Sequence, residues 1–286
     1  MDYVAVGHIT LDELDGSVRL GGGVSYGSAF AAGLGLTAKV VSRVGADLDE
    51  GLLRPLKEAG VDLTDVRRTC ERTTRFVIRL RESSEVSRLA YRCDPLTPDD
   101  LGGVKAGVIH LAPVAREVSR QVALTAIDIG SLVLLDLQGV IRTFDDGLGL
   151  NGELIGEFEG LDLVVHANLR EARAITGEDN PMNAAERLSS MFWISSVTLG
   201  REGAVISSPE GFVIAKAPEV ESLDDVGAGD VFTAALGVAL WRGYSLEDAA
   251  RFSVAAAAAS TKREGPAPIP QEEVESLMPR VGISWL

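Results

Sequence analysis

Six short apolar runs rich in β-branched residues constrain the fold of this chain more than anything else in it. They are YVAVG (3–7), AKVVSRVG (38–45), AGVIHLA (106–112), SLVLLDL (131–137), LDLVVHA (161–167) and FWISSVTLG (192–200). Each is short for a helix, and each is apolar almost throughout, as strands covered on both faces are. Helical patterns lie between them at 23–36, 49–59, 116–128, 170–176 and 182–190. A further helix opens near Gly227, and another covers about 246–262. Strand and helix in alternation make parallel βαβ units. The expectation is an α/β protein with a mostly parallel sheet covered on both faces by helices, forming one unit over residues 1–286.

One segment breaks that alternation. Residues 72–92, RTTRFVIRLRESSEVSRLAYR, alternate around a polar ESSE turn and predict a β-hairpin. With SVRL (17–20) as a third strand, the lid would be built from about 10–20 and 72–92. Arginines 67, 68, 72, 75, 79, 81, 88 and 92 face only Glu71, Glu82 and Glu85 in this stretch, within a chain of net charge −15. Arginines on exposed edge strands discourage edge-to-edge pairing. One or two are also candidates to face an anionic ligand when the lid closes.

Composition excludes several classes. A hydrophobic content of 46% is ample for a core, and the acidic balance argues against a general nucleic-acid binder, which needs a basic face. Cys70 and Cys93 lack metal spacing and suggest a reducing compartment. MDYVAVGHITLDE carries no basic region ahead of its apolar run, and VFTAALGVALW stops at Arg242. The expectation is a soluble, cytoplasmic protein with no membrane partner. GLGLTA (33–38) lies between a helix and a strand, the reverse of a dinucleotide fingerprint, and GLGLNG (147–152) falls in a loop. Both read as turns. No GxxxxGK[ST] segment is present, so a P-loop ATPase is not indicated.

The segment DDVGAGDVF (224–232) is the chemical focus. Gly227, Ala228 and Gly229 open an apolar helix, where small residues let a ligand reach amides that have no helical partner. Those donors and the helix dipole suit a phosphate oxygen. Asp230 beside them is wrong for holding phosphate alone, but right for taking a proton from an attacking hydroxyl. A plain helix entry, with Asp230 complementing the dipole, fits the same residues. Three other places could complete a site. Asp12 can accept two hydroxyl hydrogen bonds, and Gly22–Gly23 can bring a polyhydroxy ligand against backbone. In NLRE (168–171), at a strand's C-terminal end, Asn168 and Glu171 could hold a hydrated Mg²⁺, or Asn168 could simply cap a helix. In VTLGREGA (197–204), the turn is a candidate nucleotide wall.

Taken in order, Asp12, Gly22–Gly23 with Ala29, VVSRVGADLDEG (40–51), Asn168–Glu171, Thr198–Gly203 and Asp224–Asp230 resemble the ribokinase-like (pfkB) family of carbohydrate kinases over nearly the whole chain. The resemblance implies a Rossmann-like core with a β lid, ATP and Mg²⁺ as cofactors, and a monomer or a homodimer joined through the lid. It implies Asp230 as general base and the amides of Gly227, Ala228 and Gly229 as anion hole. Asn168, Thr198, Gly200 and Gly203 would meet the nucleotide. Glu171 and Asn168 would place Mg²⁺ through water, and Asp224 would help place a monovalent cation.

The chain departs from the family pattern at two places: Asp225 stands for the usual threonine, and Gly27 for a common asparagine. DLQGVIR (136–142), RCDPLTPDDL (92–101) and GGGVSYGSAF (21–30) are most similar to the myo-inositol kinase subgroup. Gln138, an amide that donates and accepts, would bind ring hydroxyls beside Asp12, with Arg142 near. The expected substrate is therefore a small polyol or sugar, myo-inositol first. Ribose, fructose, nucleosides and phosphosugars stay open, as do a pyridoxine-type vitamin kinase and a non-catalytic sensor.

Overall fold

The computed structural model describes residues 1–14, 16–81, 84–144 and 147–285, with side chains 79–87 left out of account. In chain order the first half runs β1 (Tyr3–Val6), β2 (Thr10–Leu14), β3 (Ser17–Gly21), α1 (Gly23–Gly33), β4 (Ala38–Gly45), α2 (Arg54–Glu58), β5 (Asp62–Cys70), β6 (Arg75–Arg81), β7 (Ser84–Tyr91), β8 (Ala106–Leu111), α3 (Arg120–Ile129) and β9 (Gly130–Asp136). Then come α4 (Gln138–Ile141), the two-residue pair β10 (Arg142–Thr143) and β11 (Gly149–Leu150), β12 (Val164–Asn168), α5 (Leu169–Thr176), α6 (Pro181–Ser189) and β13 (Ile194–Thr198). The chain finishes with β14 (Gly203–Ser208), β15 (Gly211–Lys216), α7 (Ala228–Trp241), α8 (Leu246–Ser260), α9 (Gln271–Leu277) and β16 (Gly282–Trp285).

Ten strands form the main sheet in the order β16-β15-β14-β13-β12-β9-β8-β1-β4-β5. All six expected strands lie in its parallel part, from β13 to β4. The β5 strand extends that part at one edge, and β14 to β16 close the other edge antiparallel. Strands buried on both faces need apolar side chains on both, and two cores satisfy this. One packs α1, α7 and α8 on the sheet through residues such as Val24, Phe232 and Phe252. The other packs α3, α5 and α6 through Val122, Ala172 and Leu188. The architecture is thus three layers about a mostly parallel sheet.

The lid is a separate four-stranded sheet, β3-β2-β6-β7. The hairpin and the SVRL strand form as expected, and β2 between them carries Asp12. Glu82 and Ser83 of the ESSE turn lie outside the described residues. A small apolar cluster of Phe76, Val114 and Ala115 seats the lid on the loop after β8. Cys70 and Cys93 are corrected from the sequence reading: they form a disulfide across 5.6 Å between Cα atoms, because the lid brings the end of β5 beside the residue that leaves β7. They give no support to a reducing compartment. Among the described residues no helix is long and apolar enough to cross a membrane.

Candidate active site

The site lies where the C-terminal ends of β1, β8, β9, β12 and β13 meet the N-terminus of α7, the position at which open α/β sheets take ligands. Gly227 caps α7 in the left-handed conformation, with φ 79°, which glycine adopts without a Cβ penalty. A Cβ there would sit 2.2 Å from the Tyr26 ring. Gly229 is already helical, so its need for glycine is spatial: a Cβ would lie 3.2 Å from His166 Cε1. The amides of Gly229 and Asp230 meet no carbonyl acceptor among the described residues, so the first turn keeps donors for an anion.

Asp230 stands half-buried in that turn and faces the glycine loop after β3. A Cβ on Gly23 would come within 2.6 Å of Asp230 Oδ1, and one on Gly21 within 2.1 Å of Asp12 Oδ2. Gly22 is left-handed, with φ 87°, and its missing Cβ makes room for the His8 carbonyl. The loop therefore brings Asp12, on the lid, and Asp230, on the core, to one strip of bare backbone. Thr10 Oγ1 donates to Asp12 Oδ1 at 2.9 Å. Burial, reinforced by the Asp136 charge, pushes the Asp230 carboxyl up to about 8.

Arg142 enters the same cleft from the end of α4. It donates to the Val114 carbonyl at 3.1 Å and to Gln138 Oε1 at 3.0 Å, and it lies over the Phe76 ring. Gln138, expected to offer its amide to a substrate, thus has its oxygen tied to Arg142. Asn168 and Glu171 form a reciprocal capping box: Asn168 Oδ1 accepts from the Glu171 amide at 3.0 Å, and Glu171 Oε2 from the Asn168 amide at 2.9 Å. Burial raises the Glu171 carboxyl above the usual range. Asp224 Oδ1 accepts from the Val226 amide. Gly200 and Gly203 both have positive φ and build the tight turn between β13 and β14.

The two departures from the family pattern have local explanations. Asp225 turns outward, where Ser222 Oγ donates to it and Arg201 pairs with it at 3.6 Å. Gly27 leaves space for the Tyr3 hydroxyl, which a Cβ would meet at 2.3 Å.

That hydroxyl begins a buried polar row that sequence reasoning missed. Tyr3 Oη bonds His110 Nδ1 at 2.6 Å, and His110 Nε2 bonds Asp136 Oδ2 at 2.7 Å. Asp136 Oδ1 meets His166 Nδ1 at 2.7 Å, and His166 Nε2 meets Thr198 Oγ1 at 3.0 Å. Thr233 of α7 also donates to Asp136. Burial alone would raise the Asp136 carboxyl. The two histidines outweigh it and hold the group well below the usual carboxylate range. Glu117, likewise unexpected, is buried and accepts from the amides of His8, Val114 and Ala115, which ties the ends of β1 and β8 together. The row did leave a signal: the chain has three histidines, and two sit inside otherwise apolar strands.

Residues 160–273 match the pfkB family carbohydrate kinase. An ATP-dependent ribose-1-phosphate kinase of Halopiger xanaduensis is 29% identical over 89% of this chain and 87% of its own length. Two solved structures share the fold, each at 24% identity. One is a pyrophosphate-dependent kinase of the ribokinase family, complexed with a pyrophosphate analogue and myo-inositol, with TM-score 0.81 over 96% of this chain and 99% of that one. The other is Arabidopsis thaliana ribokinase with ribose and ATP, with TM-score 0.78 over 97% and 98%. The matched region runs from β12 to α9 and encloses α7, whose N-terminus opens the candidate site.

Proposed function

We propose that this kinase transfers the terminal phosphoryl group of ATP to a hydroxyl of a small uncharged polyol, myo-inositol being the favoured acceptor. The observation that carries this reading is the meeting of Asp230, Asp12 and the Gly21–Gly23 backbone at the N-terminus of α7. Asp230 takes the acceptor proton, and the amides opening α7 receive the phosphoryl oxygens. Asp12 and the glycine loop orient the acceptor. Thr198, Gly200 and Gly203 border the donor. The polar groups favour a neutral acceptor: the carboxyls of Asp12 and Asp230 can both meet hydroxyls, while the guanidinium of Arg142 already serves Val114 and Gln138. A structural neighbour that holds myo-inositol supports the same reading.

The residues fit a divalent cation held mainly through water. Among the described residues no three His, Cys, Asp or Glu side chains converge as direct ligands. Glu171 and Asn168 stand at the edge of the cleft, partly committed to each other. When bound there, Mg²⁺ would neutralise charge on the donor.

A second reading has one specific observation in its favour. Arg142 brings a cation into the cleft, and the Halopiger relative is named a ribose-1-phosphate kinase. A panel decides between them. ADP release is followed with ATP and each of myo-inositol, ribose, fructose, a nucleoside, ribose 1-phosphate and fructose 6-phosphate, with Asp230→Asn as control and pyrophosphate as alternative donor. The highest kcat/KM is expected for myo-inositol. A phosphosugar in first place would overturn the substrate, and no turnover with any acceptor would overturn the mechanism.

A further inference from the structure

The chain crosses between core and lid four times: out after β1, back into α1, out after β5 and back after β7. His8, fully buried, lies on the first crossing and touches the other three. Its carbonyl fills the space left by the missing Cβ of Gly22, on the second. Its Nδ1 lies 2.8 Å from Thr74 Oγ1 on the third, and its Nε2 lies 3.0 Å from the Asp94 carbonyl on the fourth. Nothing in the proposed chemistry uses this side chain. We propose that His8 is a positioning residue for the acceptor, the tie that holds Asp12 and the glycine loop in place against the core. This rests on the reading that Asp12 and the Gly21–Gly23 backbone orient the acceptor.

The donors and acceptors around the ring fit together. A carbonyl only accepts, so Nε2 carries the hydrogen of its bond to Asp94. With the ring neutral, Nδ1 is bare and accepts the Thr74 hydroxyl proton. The lone pairs of Thr74 Oγ1 are then left for the Cys93 amide, which donates to it at 3.0 Å. A ring with hydrogen on both nitrogens would donate to the same two oxygens, so the tie itself does not depend on protonation. The His8 amide donates to Glu117 Oε1 at 2.9 Å, which anchors the residue to the core. No amide side chain spans both ring partners, because Asn or Gln reaches only one of the two nitrogen positions.

The tie acts on the acceptor side of the cleft. Thr10, two residues beyond His8, donates its hydroxyl proton to Asp12 and pairs with Gly21 across β2 and β3. The Leu11 amide donates to the Thr74 carbonyl at 2.9 Å, so Thr74 is gripped by β2 as well as by the ring. At the fourth crossing the Asp94 amide donates to Cys70 Sγ at 3.0 Å, beside the bridge that joins the two feet of the lid hairpin. Among the described residues no hydrogen bond of His8 reaches α7 or the turn between β13 and β14. Loosening the tie should therefore disturb the acceptor and spare the donor.

The test combines steady-state kinetics of the full chain with amide hydrogen exchange of the free protein. ATP is the donor, with myo-inositol as acceptor and ribose 1-phosphate run in parallel. Thr74→Val and His8→Gln each remove the bond between Nδ1 and Oγ1. Each should raise the acceptor KM about tenfold, the scale of one lost buried hydrogen bond, and leave kcat and the ATP KM within about twofold. The double variant should be no worse than the worse single, because both changes remove the same bond. Amides of β2 and β3 should exchange faster while those of α7 and α8 hold. A merely structural loss would move kcat and both KM values together and speed exchange throughout. That pattern, an unchanged acceptor KM in both single variants, or additive losses in the double variant would overturn the proposal. Should His8→Gln fail to fold, Thr74→Val decides alone. Exchange needs no acceptor, so unchanged rates in β2 and β3 would overturn the proposal even if neither compound is turned over. Asp12→Asn separates the two readings. If it spares the acceptor KM, the acceptor site falls and the proposal with it; if it raises that KM where Thr74→Val does not, only the role of His8 falls.

Discussion

Asp230 shows how a single carboxyl can be poised and costly at once. A base must be unprotonated to act, yet burial and the Asp136 charge hold this group protonated up to about pH 8 in the free enzyme. The acceptor kcat/KM should therefore rise close to tenfold per pH unit from 6 toward 8 and then level, as a pH–rate profile will show. The same shift sets a stability dependence. A carboxyl raised in the folded state binds its proton more tightly there than in the unfolded chain. Its contribution is full below the unfolded value near 4 and is lost as pH rises through 8. Asp230→Asn removes that dependence. It should lower turnover about 10²–10⁴-fold and raise Tm at pH 8 more than at pH 5. Turnover within threefold of wild type would exclude Asp230 as the base. At Glu171, substitution by Gln should raise the Mg²⁺ concentration that gives half-maximal rate; activity surviving full chelation of divalent ions would remove its assigned role.

At the scale of elements, the proposed phosphate site depends on contacts between secondary structures. Gly229→Val drives a side chain of α7 into His166 on β12. It should raise the ATP KM at least about tenfold, since the ring cannot move without breaking its bonds to Asp136 and Thr198. Glu117 holds the exits of β1 and β8 through backbone amides. Glu117→Gln turns an amide group toward those donors and should cost about 2–3 kcal/mol, read as a lower Tm. The parallel strands were legible because their β-branched, doubly buried sequences have no good alternative. β5, with its run of arginines and aspartates, and the outer antiparallel strands β15 and β16 were not, since half-exposed strands mix polar residues without a clean period. The helix opened by the GAG turn was legible from its small residues followed by an apolar run. The capping box of Asn168 was visible as one of two readings, and the structure realises it. The clamp at Glu117 was not visible, because nothing in PVARE marks a carboxylate that will be surrounded by amides from two loops.

For the whole molecule, the disulfide joins the outer strand of the core sheet to the chain leaving the lid hairpin. Closing a loop of this length removes about 3 kcal/mol of unfolded-state entropy in the simple chain model. Adding reductant should lower the wild-type Tm and leave a Cys70→Ser, Cys93→Ser double variant unmoved; equal shifts in both would remove the bridge as the cause. The row from Tyr3 to Thr198 was illegible for a related reason of distance. Its members come from strands far apart in sequence, and each histidine looked like one more residue of an apolar run. Assembled, the row is also a register key. Side chains alternate faces along a strand, so a slip of one residue in β8, β9 or β12 would turn His110, Asp136 or His166 onto the side packed by α3, α5 and α6. There each would stand among apolar groups with its partners on the far face, at a cost of several kcal/mol. A sheet of nearly interchangeable Val, Ile and Leu strands discriminates poorly among its own alignments. Five polar groups that are satisfied in only one of them supply that discrimination, so the chain cannot form this site in any mispaired sheet.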